Sequence, residues 1–194
     1  MSRTQMTGRT VVAIRPARPT DLPALGDFFA GLSVQARYLR FFSPITPGPS
    51  LLKLLCGDAA TDVLLATRDG AIIGHGMAVD LPGPSGPSGA ETTDIGVVVA
   101  DAWQHQGVGS ALVRALITGA QVRGVRSVTM DVMHGNDRAV AMIKGHWPAA
   151  RTRRSKDCDT LCIQLADLER RLPPGPPRRL GPRPSAALTA AGRS

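Results

Sequence analysis

The sequence predicts a single α/β domain, a mixed and mostly antiparallel sheet with helices on both faces, and three observations carry that reading. Its 194 residues are enough for one ordinary domain. Two strand-like runs, 62–67 and 71–79, flank Asp69-Gly70, a pair that closes a two-residue hairpin. In the second half strand-like runs alternate with helical ones, which calls for a parallel crossover. Only 4% of residues are aromatic, so the core rests on Val, Leu, Ile and Ala.

The elements follow in order. The β-branched run 11–14 is a first strand. Thr20 is placed as an N-cap before Asp21 and Pro23, with Leu22, Leu25, Phe28 and Phe29 at helical spacing. Residues 33–42 form a second helix with Val34, Tyr38 and Phe41 on one side and Arg37 and Arg40 on another. A short apolar helix at 51–56 lies between Pro49 and Gly57. After the hairpin, 82–89 reads P-G-P-S-G-P-S-G, a loop. A strand at 92–99 ends in Ile95-Gly96-Val97-Val98-Val99, and a helix then runs from 107 to 123 and stops at Gly124. A strand at 127–132, a helix at 137–144 and a last strand at 161–165 complete the domain. The expected organisation is a flexible N-terminus at 1–10, the domain at 11–171 and a disordered Pro/Arg-rich tail at 172–194.

Charge narrows the partners. The net charge of +8 is uneven, because Arg178, Arg179, Arg183 and Arg193 stand in an acid-free tail. The remaining body suits an anionic small ligand, and nucleic acid is disfavoured because no aromatic stacking platform accompanies the arginines. No apolar run is long enough to span a membrane, so no membrane partner is expected. The polar N-terminus lacks a signal region, which favours a cytoplasmic location. Cys56, Cys158 and Cys162 form no C-x-x-C pair, so neither a disulfide framework nor a metal site is expected.

The chemistry concentrates in Gln104-His105-Gln106-Gly107-Val108-Gly109-Ser110. Two glycines at a helix start let a ligand approach the backbone, and the first-turn amides carry unpaired N–H groups and the positive end of the helix dipole. That arrangement suits a phosphate or pyrophosphate. A nucleotide P-loop is excluded, since Gly109 is followed by Ser110-Ala111 and not by Lys. A dinucleotide fingerprint fits poorly: Leu112 stands where a third glycine belongs, although Asp131 lies where a ribose-binding acid would.

At these residues the sequence resembles the GCN5-related N-acetyltransferase (GNAT) superfamily. Gln104-x-x-Gly107-x-Gly109 is similar to its acyl-CoA pyrophosphate motif, with Asp101-Ala102-Trp103 before it, Ala111-Leu112 after it and Asn136 opening the following helix. Ile14-Arg15-Pro16-Ala17-Arg18-Pro19-Thr20-Asp21 resembles the family's first strand and turn. S-V-Q-A-R-Y-L-R-F-F-S-P, at 33–44, resembles more narrowly the bacterial protein lysine acetyltransferases. The resemblance implies a sheet whose fourth and fifth strands splay apart around acetyl-CoA. Its pantetheine would run along Val97, Val98 and Val99, and its pyrophosphate would meet Gln104 to Ser110, with Val108 among them. An amine acceptor, preferably a protein lysine and otherwise a small molecule, would attack the thioester directly. A homodimer is compatible with it.

A lysine amine with an ordinary pKa near 10.4 is unprotonated in only about one molecule in a few thousand at neutral pH, so a general base helps. The family's strand-borne glutamate corresponds to Asp94, and Glu91 is the second candidate. The tyrosine that often protonates the leaving thiolate corresponds to Ile143, leaving His134 and His146 as substitutes. Trp147-Pro148 replaces the family's Gly-Phe, and His75 and Met77 are read as core or as acceptor lining. Arg151, Arg153, Arg154 and Lys156 form a basic run before the last strand. These departures keep a second reading open, an acyl-CoA-binding regulatory module with little turnover.

Overall fold

The computed structural model describes residues 12–57, 61–81 and 91–169, so the expectations for both termini and for the loop at 82–89 lie outside the described residues. Asp69 and Gly70 both take positive φ, 49° and 82°. That left-handed pair closes the hairpin between β2 (Thr61–Arg68) and β3 (Ala71–Leu81), as a primed turn requires. β1 (Ala13–Pro16) pairs antiparallel with β2, and β4 (Thr92–Val99) pairs antiparallel with β3. β5 (Ser127–Met133) then runs parallel to β4. β7 (Cys158–Gln164) and β6 (Arg151–Arg154) complete a seven-stranded sheet of order β1-β2-β3-β4-β5-β7-β6. The mixed sheet is as expected, with β4–β5 its parallel pair.

β6 is an addition. All four of its residues are exposed, so no apolar alternation marks it as a strand. It is a short, charged edge, a common way of keeping a sheet from pairing with other chains. Arg154 reaches back to Asp159 on β7 with bonds of 2.8 and 2.9 Å. The three arginines of the basic run are thus built into the sheet, with Lys156 in the turn after them, and the chain passes from Pro148 through β6 before it reaches the last long strand.

Helices cover both faces. α1 (Leu22–Gly31), α2 (Val34–Phe41) and α3 (Pro49–Cys56) lie on one, where Leu25, Phe29 and Leu55 pack with Val63, Leu65, Met77 and Val98. α4 (Val108–Val122) and α5 (Asp137–His146) lie on the other, where Leu116, Ile117, Ile143 and Trp147 pack with Ala78, Ile95, Val128 and Met130. A short α6 (Leu165–Glu169) follows β7. Burying each such leucine or isoleucine contributes about 1.5–3 kcal/mol, so α4 is firmly held. It also sits close to the sheet: a Cβ at Gly74 would meet Leu112 Cδ1 at 3.1 Å, and one at Gly76 would meet Leu116 Cδ1 at 3.0 Å.

α2 departs from its sequence pattern. Val34 and Tyr38 are 62% and 44% exposed, whereas Ala36 is buried and Arg40 turns inward onto β4. The helical period favoured the opposite face; a glycine on a distant strand supplies a seat for Arg40 that no local pattern reveals. His75 and Met77 both pack in the core. The His75 Nε2–H donates to Leu55 O at 2.8 Å. Burial, reinforced by the Arg40 charge and opposed by that bond, pushes its pKa down to about 4.

Candidate active site

β4 and β5 pair over three residues only, Thr92 with Ser127, Thr93 with Val128 and Asp94 with Thr129. Beyond Asp94 the strands part, and a cavity of about 460 Å³ opens between them. From Ile95 to Val99, β4 keeps its ladder with β3 but has no partner on the β5 side. Its backbone groups on that side are available to an extended ligand, which would satisfy them as another strand would.

The N-terminus of α4 closes one end of this slot. Gly107 precedes it at φ 82°, and no side chain caps the helix. α2 and α5 differ: Ser33 Oγ accepts from Ala36 N at 3.0 Å, and Asn136 Oδ1 accepts from Ala139 N at 3.3 Å. Ser110 Oγ donates back to Gly107 O at 2.9 Å, which leaves the first-turn amides uncovered. Gln104 Nε2 donates to Val99 O at 3.1 Å and ties the loop to the strand end.

Val97, Val98, Val99, Gln104, His105, Gly107, Gly109, Ser110 and Asn136 all line the cavity. Gln106 and Val108 do not. Gln106 Nε2 bonds to Ala102 O at 2.9 Å, and the Val108 side chain is buried against the sheet. The lining also includes Arg138 and Met142, to which the sequence assigned no role, and Asp131, weighed there only as a ribose-binding acid. Arg138 Nη1 donates to His105 Nε2 at 2.9 Å, which brings a cation beside the cradle. Its position in the first turn of α5, two residues after Asn136, was the available signal.

Asp94, the last paired residue, stands where the strands separate; it is not itself among the cavity's lining residues, whereas Ile95 and Gly96 after it and Asp131 across from it are. Its Oδ1 accepts from Thr129 Oγ1 at 3.0 Å. Burial pushes its carboxyl pKa up and the neighbouring Asp131 adds to this, while the Thr129 bond and the Arg40 charge oppose it. Asp131 Oδ1 in turn accepts from Thr160 Oγ1 at 2.6 Å. Glu91 lies away from the cavity, in an ion pair with Arg126 at 3.4 Å. Ile143 does line the slot, and it brings no ionisable group. His134 sits 3.6 Å from Asp159 and His146 against Trp147, both outside the lining.

A split sheet with a bare helix N-terminus at one end and a half-buried carboxylate where the strands part suits an extended, anionic ligand. Residues 33–146, more than half of the chain, match the model of the acetyltransferase (GNAT) family. The chain belongs to that family and is an acetyltransferase. No curated protein sequence matches it. Among solved structures it is similar to the GNAT domain of PAT from S. lividans, at 23% identity and a TM-score of 0.71 over 79% of this chain and 90% of that one. It is similar also to a GCN5-related N-acetyltransferase from Kribbella flavida, at 22% identity and a TM-score of 0.66 over 79% and 97%. A third is YncA from Salmonella typhimurium, solved with its cofactor acetyl-CoA, at 18% identity and a TM-score of 0.59 over 80% and 95%. At these identities the likeness is one of fold.

The residues present fit acetyl-CoA. The uncapped α4 amides and the glycines admit a diphosphate, and the unpaired β4 edge admits a pantetheine arm. Among the described residues no cluster of His, Cys, Asp and Glu could hold a metal, and no helix is long and apolar enough to cross a membrane.

Proposed function

We propose that this chain transfers an acetyl group from acetyl-CoA to an amine, a protein lysine in preference and a small-molecule amine next, by direct attack. Asp94 is the general base. The observation that carries this reading is its place at the apex of the split, the last paired position before β4 turns its free edge to the slot. A carboxyl held above its ordinary pKa, here chiefly by burial, is a better proton acceptor at neutral pH than a solvated one. Glu91, tied to Arg126, is the weaker candidate.

The residues divide the work. The α4 amides and Gly107 hold the diphosphate, with Arg138 and His105 beside them. The backbone of Val97 to Val99 aligns the arm, and Gln104 fixes the loop by holding the Val99 carbonyl. The amine nitrogen bonds to the thioester carbonyl carbon, the C–S bond breaks, and the amine proton passes to Asp94 directly or through water. The thiolate takes its proton from solvent, since Ile143 offers none.

CoA release measured against a panel of amines and lysine peptides tests this, with Asp94→Asn expected to lower it about a hundredfold or more. The hydroxyl-free Ile143 favours a second reading, an acyl-CoA-binding module with little turnover. Tight binding of acetyl-CoA with no release on any acceptor would support that one.

A further inference from the structure

Arg40 has no part in the scheme above, yet it lies against the slot. Its guanidinium covers Gly96, which lines the cavity: a Cβ there would meet Cζ, Nη2 and Nη1 at 2.7, 2.8 and 2.9 Å. The Phe41 ring flanks it, 5.1 Å from Cζ to centroid. Nε is sealed from solvent without a partner, and no hydrogen bond or ion pair joins the group to any described residue. The residue as a whole keeps partial exposure, and although Arg40 is not itself among the residues lining the cavity, Ala36 and Leu39 of the same helix and Gly96 beneath it are.

A guanidinium withdrawn from water is unfavourable unless an oxyanion meets it. Asp94 contributes its field but no bond. The diphosphate cannot serve, because the α4 cradle lies past Val99, three strand residues or about 10 Å further along. The acceptor remains as the source of the anion. Asp94 and Gly96 are same-face neighbours on β4, about 7 Å apart.

We propose that Arg40 binds a carboxylate of the acceptor, so that the acceptor carries an oxyanion within about 7 Å of the amine that reacts. This rests on the acetyltransferase reading for the identity of the second ligand. Arg40 is a specificity-determining residue: its planar fork of donors matches a carboxylate and has no use for an amide. Two sources supply that chemistry, a free amino acid or a lysine with an acidic neighbour in a protein.

The test is calorimetry on the full chain saturated with CoA. Free amino acids are compared with their amides, and lysine peptides flanked by Asp or Glu with the same peptides flanked by Asn or Gln. The carboxylate member of at least one set should bind about tenfold tighter or more, and the set that shows it identifies the source. Arg40→Gln should erase the preference and Arg40→Lys should keep part of it, with affinity for acetyl-CoA unchanged. In turnover, Arg40→Gln should raise KM for the carboxylate acceptor and leave KM for its amide counterpart nearly alone. Equal Kd for carboxylate and amide members, or no binding by any of them, overturns the proposal, and this comparison needs no variant. Equal loss on both members in Arg40→Gln overturns it too. A carboxylate preference without CoA release from any acceptor would uphold Arg40's role and overturn the transferase reading.

Discussion

The Arg40 guanidinium lies flat on Gly96, close enough that a single methyl group at that glycine would fall within 2.7 Å of Cζ. The two residues come from different elements, a helix and a strand, and each constrains the other.

Gly96→Ala therefore expels Arg40 from its seat. The clash should cost on the order of 1–3 kcal/mol of stability, as overpacking does. In an Arg40→Ala background the same change should be neutral or slightly stabilising, because alanine is otherwise the better strand residue. Denaturant melts of the four proteins in this cycle measure the coupling, and additive effects would show that the two residues do not meet.

Asp94→Asn separates function from stability. Turnover should fall about a hundredfold or more, the usual worth of a general base. Folding raises the Asp94 pKa, so the folded chain favours the neutral form and loses stability as pH rises through that raised value. Asparagine stays neutral and still accepts from Thr129. The variant should melt higher than wild type at pH 7–8, and the gain should vanish as pH falls toward the ordinary carboxylate range. A lower melting temperature at pH 8 would contradict this.

His75 makes the opposite contribution. Its pKa is about 4 when folded and 6.5 when unfolded, so the unfolded chain takes up the proton first. The stability of the neutral buried ring is fully present above pH 6.5 and is lost between 6.5 and 4, with a slope of about 1.4 kcal/mol per pH unit at most. Unfolding free energies at pH 7, 6 and 5 should show the decline, and His75→Gln should flatten it.

Gly107 and Gly124 bracket α4 with nearly the same backbone, φ 82° and 80°. Neither has a neighbour closer than 4.0 Å to a prospective Cβ, so alanine at either costs about 1 kcal/mol through conformation alone. Of the two, Gly107 lines the cavity, at the proposed diphosphate site, and Gly124 does not. Gly107→Ala should weaken acetyl-CoA binding about tenfold, whereas Gly124→Ala should leave it unchanged.

Much of the architecture was legible because it is locally encoded. Asp69-Gly70 specifies the hairpin, and Gly107 and Gly109 mark the start of α4 that the proposed function uses as its diphosphate site. What escaped was set by tertiary contacts. The β6 arginines carry no apolar alternation, and their pairing to β7 appears only in the assembled sheet. Helical spacing set Arg40 on the side away from Val34 and Tyr38, where with Arg37 it could shape an acceptor entrance, but it could not show that Gly96 on a distant strand lies beneath it. Asp131 was weighed as a ribose ligand, since distance along the chain could not reveal that β5 places it beside Asp94.

In the proposed function the slot between β4 and β5 holds a pantetheine arm while the bare end of α4 grips the diphosphate. Titration calorimetry with acetyl-CoA, set against a pantetheine thioester that lacks the diphosphate, tests it most directly. Saturable binding of acetyl-CoA, with the truncated thioester weaker by at least about tenfold, is the predicted result. Absence of heat with acetyl-CoA on folded protein, or equal affinity for the two compounds, would contradict it.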